Sequence, residues 1–100
     1  MTRYQISAEA QGDLFEIWQR IARDSVKLAD RIDGEFHALF ESFAQMPRQG
    51  HSRKDLTDRS VLFFPLYSFL IVYQAETNPI RIIAVLRGKR DVKRVLKERT

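Results

Sequence analysis

The chemistry open to this sequence is that of cations around a phosphate. Arg53 and Lys54 stand in a polar loop, and Arg81, Arg87 and Arg90 lie along and just beyond the last β-like run. If loop and strand ends converge, such a set clamps a scissile phosphate and stabilises the charge that builds up during RNA cleavage by a 2′-hydroxyl, which needs no metal. That reaction also needs a base and an acid. Arginine titrates too high to be a comfortable base, and residues 87–100 contain neither tyrosine nor histidine. The cations come without an evident proton shuttle. No residue is therefore assigned a catalytic role; if the chain cleaves RNA, Arg53, Lys54, Arg81, Arg87 and Arg90 are the candidates.

Other chemistries find less support. Cysteine is absent, which removes disulfides, thiolate zinc sites and a cysteine nucleophile. His37 and His51 lack H-E-x-x-H spacing and a third ligand, so no metal is expected. No serine stands in a G-x-S-x-G turn, and four glycines form neither a P-loop nor a G-x-G-x-x-G turn. No cofactor is expected.

The elements that must position these residues are legible from periodicity. Arg3-Tyr4-Gln5-Ile6 alternates as a short strand does. Ser7 offers an N-cap, and Ala10, Leu14, Ile17 and Ile21, with Phe15, Trp18 and Ala22 beside them, predict a helix over 8–23 with a wide apolar face. Asp24-Ser25 breaks the chain and caps a second helix, striped by Ala29, Ile32, Phe36, Leu39, Phe43 and Met46. So short a link makes an antiparallel helical hairpin. Gly12 and Gly34, inside these helices, suggest close approach of another element or tolerated surface positions. Pro47 and Gly50 end the second helix, and residues 51–59 read as a loop. Val61–Phe64, Phe69–Tyr73 and Ile80–Leu86 are β-branched and aromatic runs, separated by Pro65–Ser68 and Glu76–Pro79. They predict an antiparallel meander. Gly88 turns the chain out of the last strand. Lys89–Arg99 then reads as a short basic helix with Asp91 in its first turn and Val92, Val95 and Leu96 inward. The fold class is α+β, a two-layer β-α-α-β-β-β-α arrangement: the hairpin packs on a small antiparallel sheet and the short C-terminal basic helix packs at one side.

One hundred residues supply a single core and one domain, residues 1–100. A hydrophobic content of 44% excludes intrinsic disorder. The longest apolar stretch, Val61–Ala75, is broken by Pro65, Ser68 and Gln74 and is too short for a membrane span. With no signal peptide at the start, the expected compartment is the cytoplasm. Charge is unevenly spread: residues 1–80 carry a net −2 and residues 81–100 a net +6. A basic end on a slightly acidic body suits an anionic partner, nucleic acid or an acidic protein, although a solvated helix face gives the same pattern.

Four motifs then fall in register with a known family. They are Tyr4-x-Ile6-Ser7-x-x-Ala10-x-x-Asp13-Leu14-x-x-Ile17-Trp18, Pro47-x-x-Gly50-x-x-Arg53-x-Asp55-Leu56, Leu70-Ile71-Val72-Tyr73, and Val85-Leu86-Arg87-Gly88-x-Arg90-Asp91. With the element order, they resemble the ParE branch of the RelE/ParE toxin superfamily over essentially the whole chain. The resemblance implies a plasmid-stabilisation toxin of a type II toxin–antitoxin module, neutralised by a small ParD-like antitoxin. ParE-like action is poisoning of DNA gyrase; RelE-like action is ribosome-dependent cleavage of messenger RNA. Many relatives carry histidine where this chain has Arg87, and the RelE branch has a tyrosine or histidine near its C-terminus, which residues 93–100 lack. Arginine at position 87 keeps the positive charge but removes a group that titrates near neutrality, and the missing C-terminal tyrosine or histidine favours the ParE reading.

Surfaces follow from this. Seven Phe, three Tyr and one Trp are hard to bury in one small domain, so an exposed aromatic patch is expected at a partner site. An acidic antitoxin segment would add a helix along the hairpin, and a strand at a sheet edge is a further option. The residues expected to bind it are Phe15, Trp18, Ile21 and Ala22 as apolar anchors, and Arg81, Lys93 and Arg94 as charged contacts. For Phe15 and Trp18, burial in the core is the competing reading. Arg87, Arg90 and Lys97 are expected to face the target, with Asp55 as another partner for Arg90. No sequence-specific DNA binding by the chain alone and no membrane contact are expected.

Overall fold

The computed structural model describes residues 4–88 and 91–99. Its elements are β1 (Tyr4–Ile6), α1 (Ala8–Ala22), α2 (Val26–Gln45), a 3-10 turn (Pro47–Gln49), β2 (Leu62–Leu66), β3 (Phe69–Gln74), β4 (Ile80–Arg87) and α3 (Val92–Glu98). Arg3, Lys89 and Arg90 lie outside the described residues. Both serine caps form: Ser7 Oγ accepts from the Ala10 N–H at 3.1 Å, and Ser25 Oγ from the Leu28 N–H at 3.0 Å. Each satisfies an N–H that a helix start would otherwise leave without a partner. Ala10, Leu14 and Ile17 of α1 and Ala29, Phe36, Phe40 and Phe43 of α2 are buried, as the stripes predict. The second stripe stops at Phe43; Met46 lies past the helix end and is exposed.

The sheet order is β1-β4-β3-β2. The β2-β3-β4 meander is antiparallel as expected, but β1 pairs with β4 in parallel, Tyr4 opposite Ile80 and Ile6 opposite Ile82, so the whole sheet is mixed. A parallel neighbour needs a long crossover, and the helical hairpin followed by the meander supplies one. β2 runs through Pro65 and Leu66 rather than ending before them, because an edge strand tolerates a residue with no N–H. The turn shrinks to Tyr67 and Ser68, with Tyr67 at φ 55°. Glu35 of α2 accepts from the Tyr67 hydroxyl at 2.8 and 2.9 Å, tying the turn to the hairpin.

The terminal helix packs on the second face of the sheet rather than at its side. One core lies under the hairpin and contains Phe36, Phe40, Phe43, Ile71, Tyr73, Ile80, Ile82 and Val85. The other lies under α3 and the loop before β2, and contains Leu56, Val61, Phe63, Val72, Ile83, Val92 and Leu96. Leu70, Ile71, Val72 and Tyr73 are all buried, as in a strand covered on both faces. Most of the aromatics lie in the hairpin core, and the second cover buries Phe63. Phe36, Phe40, Phe43, Phe63 and Tyr73 are fully buried, and Phe15 and Tyr67 are the exposed aromatics among the described residues.

β4 carries a bulge. Val72 pairs with Ala84 but Tyr73 pairs with Ile82, leaving Ile83 as the extra residue. The bulge reverses the strand's alternation. Arg81 and Arg87 are six apart and would share a face in a regular strand; here Arg81 points to the α3 side and Arg87 to the α1 side.

Tyr73 locks the end of the hairpin to the sheet. Its ring stacks on Phe43, with centroids 4.3 Å apart. Its hydroxyl donates to the Pro47 carbonyl at 2.7 Å and accepts from the Gly50 N–H at 2.8 Å. Burial pushes its pKa above the ordinary tyrosine value. A Cβ at Gly50 would sit 2.9 Å from the Tyr73 ring and hydroxyl, so glycine is required there for close approach. Gly12 and Gly34 have open space around them, which makes them surface positions rather than sites of close packing. Tyr73→Phe leaves a buried N–H and a carbonyl without their partner. Urea denaturation should show a loss of about 1–3 kcal/mol with the fold retained.

Candidate interaction surfaces

The described residues show one well-buried ion pair, and it organises the surfaces around it. Asp13 lies on α1 between Ala10, Leu14 and Ile17, all of which are buried. Its two carboxylate oxygens accept from both terminal nitrogens of Arg99, at 2.6 and 2.9 Å. The side chains are only 15% and 19% exposed. Asp13 also accepts from the Val85 N–H at 3.0 Å, and Arg99 donates to the Ile83 carbonyl at 3.3 Å. Hydrogen bonding to Asp13 holds the Arg99 pKa above its ordinary value. β1 pairs only with residues 80–82 of β4. Beyond that point Ser7, Asp13 and Arg99 take over the strand edge: Ser7 donates its N–H to the Ile82 carbonyl at 3.0 Å and its hydroxyl to the Ile83 carbonyl at 3.3 Å. Arg99 is thus committed inside the fold and is not part of a free basic tail.

The described nuclease candidates do not converge. Arg81 lines a small recess of ≈ 140 Å³ beside α3, with Glu9, Arg59, Glu98 and Arg99. Arg87 lines a cleft of ≈ 670 Å³ between α1 and α3, with Glu16, Arg20, Asp91 and Arg94. Lys54 faces Lys93 and Lys97 of α3 across a third recess of ≈ 510 Å³. Arg53 grips Asp55 through two bonds of 3.0 and 2.8 Å, which raises its pKa and moves it further from any role as a base. Arg90, including its pairing with Asp55 and its role toward a target, lies outside the described residues. The four described nuclease candidates therefore do not share a recess in which a phosphate clamp would form.

The residues expected at a partner surface divide in the same way. Phe15 is 61% exposed on α1, so it is not core. Trp18 is half-buried, and its indole N–H donates to Asp30 of α2 at 2.8 Å. Together with Ile6, Leu14 and His37 they line a shallow groove of ≈ 400 Å³. Ile21 and Ala22, at the end of α1, are half-buried. Arg81 lies on the opposite face of the sheet from this groove. Lys93 and Arg94, adjacent in sequence, point to different sides of α3, one toward Lys54 and the other into the α1–α3 cleft. Of the residues expected to face the target, Arg87 lies in that cleft and Lys97 in the Lys54 recess.

Gly88 adopts φ 72° and donates its N–H to the Ser68 carbonyl at 3.1 Å, as a turn out of β4 requires. Asp91 sits at the cap position of α3 rather than inside its first turn. Its side chain makes no capping bond and pairs with Arg94 at 3.4 Å. The sequence reading missed Arg20 in the cleft, the bond from Arg59 to α3 and the Asp13–Arg99 pair. A signal existed for the last: a carboxylate at helical spacing among Ala10, Leu14 and Ile17 faces the core and demands a cation.

The architecture is that of a small α+β domain with its hairpin and its terminal helix on opposite faces of one sheet. The model for the ParE toxin of the parDE type II toxin–antitoxin system matches residues 4–92, and this chain belongs to that family. Among solved structures it is similar to a chain of the chromosomal ParDE toxin–antitoxin system from P. aeruginosa, with TM-score 0.71 and 17% identity over 85% of this chain and 94% of that one. Comparison with curated proteins gives no match.

The geometry separates the two aromatics of α1. Phe15→Ala should leave the denaturation midpoint within about 0.5 kcal/mol of the parent, as an exposed side chain does. Trp18→Ala should cost about 1–2 kcal/mol, because it removes a half-buried ring and the bond that links α1 to α2.

Proposed function

We propose that this chain is the toxin of a type II toxin–antitoxin pair in the cytoplasm, that it blocks replication by poisoning DNA gyrase, and that a ParD-like antitoxin neutralises it. Membership of the ParE family over residues 4–92 carries this reading. Dispersal of Arg81, Arg87 and Lys54 among three recesses supports a binding mechanism over the mRNA endonuclease alternative. A protein inhibitor needs a shaped surface and no proton shuttle.

The antitoxin would dock an amphipathic helix on α1, with Phe15 as the exposed anchor and Trp18, Ile21 and Ala22 as its apolar surround. An exposed aromatic beside half-buried apolar groups is the usual form of an anchoring spot. Arg94 lies within reach of an acidic extension along the α1–α3 cleft. Arg81 and Lys93 would be contacted only by a segment that wraps onto the α3 face. Arg87, at the mouth of the cleft, and Lys97, with Arg90, would be presented to gyrase.

Purified protein added to a gyrase supercoiling reaction tests the proposal. The expected result is loss of supercoiling, or accumulation of a cleaved gyrase–DNA complex, reversed by the antitoxin. Unimpaired supercoiling at a large excess of folded protein would contradict it. Codon-phased cleavage of a message in a translation extract would establish the endonuclease instead.

A further inference from the structure

We propose that the recess formed by Lys54, Lys93 and Lys97 binds the phosphate backbone of duplex DNA without reading its sequence. Lys54 comes from the loop before β2, and Lys93 and Lys97 stand one turn apart on α3. All three are exposed and line the same ≈ 510 Å³ hollow, where Asp58 is the one carboxylate among the described lining residues. Lys93 and Lys97 repel each other at this spacing, while the helix dipole favours the cation of Lys97 in the last turn of α3.

The recess is held in shape. Arg59 leaves the same loop and donates to the Leu96 carbonyl at 2.6 Å, clipping the loop to α3 between its two lysines. The lysine-bearing elements are therefore fixed relative to each other before any ligand arrives, which lowers the ordering cost of binding.

What the recess lacks selects its occupant. Among the described residues that line it there is no aromatic side chain, and its two leucines, Leu56 and Leu96, are buried at 8% and 1% exposure. Single-stranded nucleic acid is bound on aromatic platforms where bases stack. A protein partner is bound through apolar or aromatic anchors at the centre of the contact. A cationic hollow with neither fits the outer surface of a duplex, where phosphates alone are presented. The apolar groove at Phe15 is on the opposite face of the sheet, so an antitoxin helix docked there leaves the recess open. A segment that wraps onto the α3 face as far as Lys93 would compete with DNA for it, and Lys97 would face the DNA that gyrase holds.

The test uses the purified full chain and a fluorescently labelled short duplex of arbitrary sequence. Binding is followed by anisotropy over a range of salt, with no gyrase present, so that its outcome is independent of the gyrase reading. The parent should bind, with log K falling linearly against log salt. The triple variant Lys54→Gln, Lys93→Gln, Lys97→Gln should bind at least about tenfold more weakly at low salt and lose about 2–3 from the slope, since each phosphate contact contributes ~0.9. Arg20→Gln, which removes one charge from the α1–α3 cleft, should keep the parent slope. If thermal melting shows that the triple variant is unfolded, Lys54→Gln and Lys93→Gln separately should each lower the slope by about 0.9. Failure of the parent to bind duplex, an unchanged slope in the folded variants, or tighter binding to a single strand or to a polyglutamate peptide would overturn the proposal.

Discussion

A carboxylate on the buried face of an amphipathic helix constrains the whole chain. A carboxylate beside Leu14 and Ile17 needs partners, because an unpaired charge in that setting is costly. Three parts of the fold supply them: α1 carries the carboxylate, β4 gives the Val85 N–H, and the residue that follows α3 gives the Arg99 guanidinium. Asp13 and Arg99, with Ser7, also close the part of the β4 edge that β1 is too short to cover. An uncovered edge would expose unpaired backbone groups to another strand. One side chain thus joins the first helix to the end of the chain across 86 residues of sequence.

The bulge at Ile83 is the second constraint, and it lies beside the first. It lets Ile82 and Val85 face the hairpin while Ile83 and Ala84 face α3, so that each core receives apolar side chains from β4. It also sorts the basic residues: Arg81 goes to one face and Arg87 to the other. A surface that a regular strand would have made a single cationic stripe is divided into separate recesses. Arg81, Arg87 and Lys54 lie in different recesses.

The sequence makes local features legible and leaves long-range ones hidden. Ser7 and Ser25 are readable as caps because the bond each forms is to a residue three places on. The helical stripes ending at Ile17 and Phe43 are readable because the 3.6 period persists for several turns. The strand runs are readable from their β-branched and aromatic content, but the bulge is not, since Ile80–Leu86 is apolar on both faces and shows no alternation to break. The same two-sided run signals that both faces are covered, which accounts for the burial of Phe63 on the α3 side. The parallel placement of β1 and the docking of α3 on the far face depend on pairings between distant segments. Of the residues proposed to bind an antitoxin, Phe15 is exposed, while Arg81 and Lys93 stand apart from it because of the bulge and the helix phase.

Asp13 and Arg99 act as one unit holding α1, β4 and α3 together. A double-mutant cycle measures this directly: Asp13→Asn, Arg99→Gln and the pair, each unfolded in urea. The account predicts that each single change costs about 2–4 kcal/mol and that the double variant costs less than the sum by more than about 1 kcal/mol. Costs that simply add, or single variants within about 0.5 kcal/mol of the parent, would contradict it.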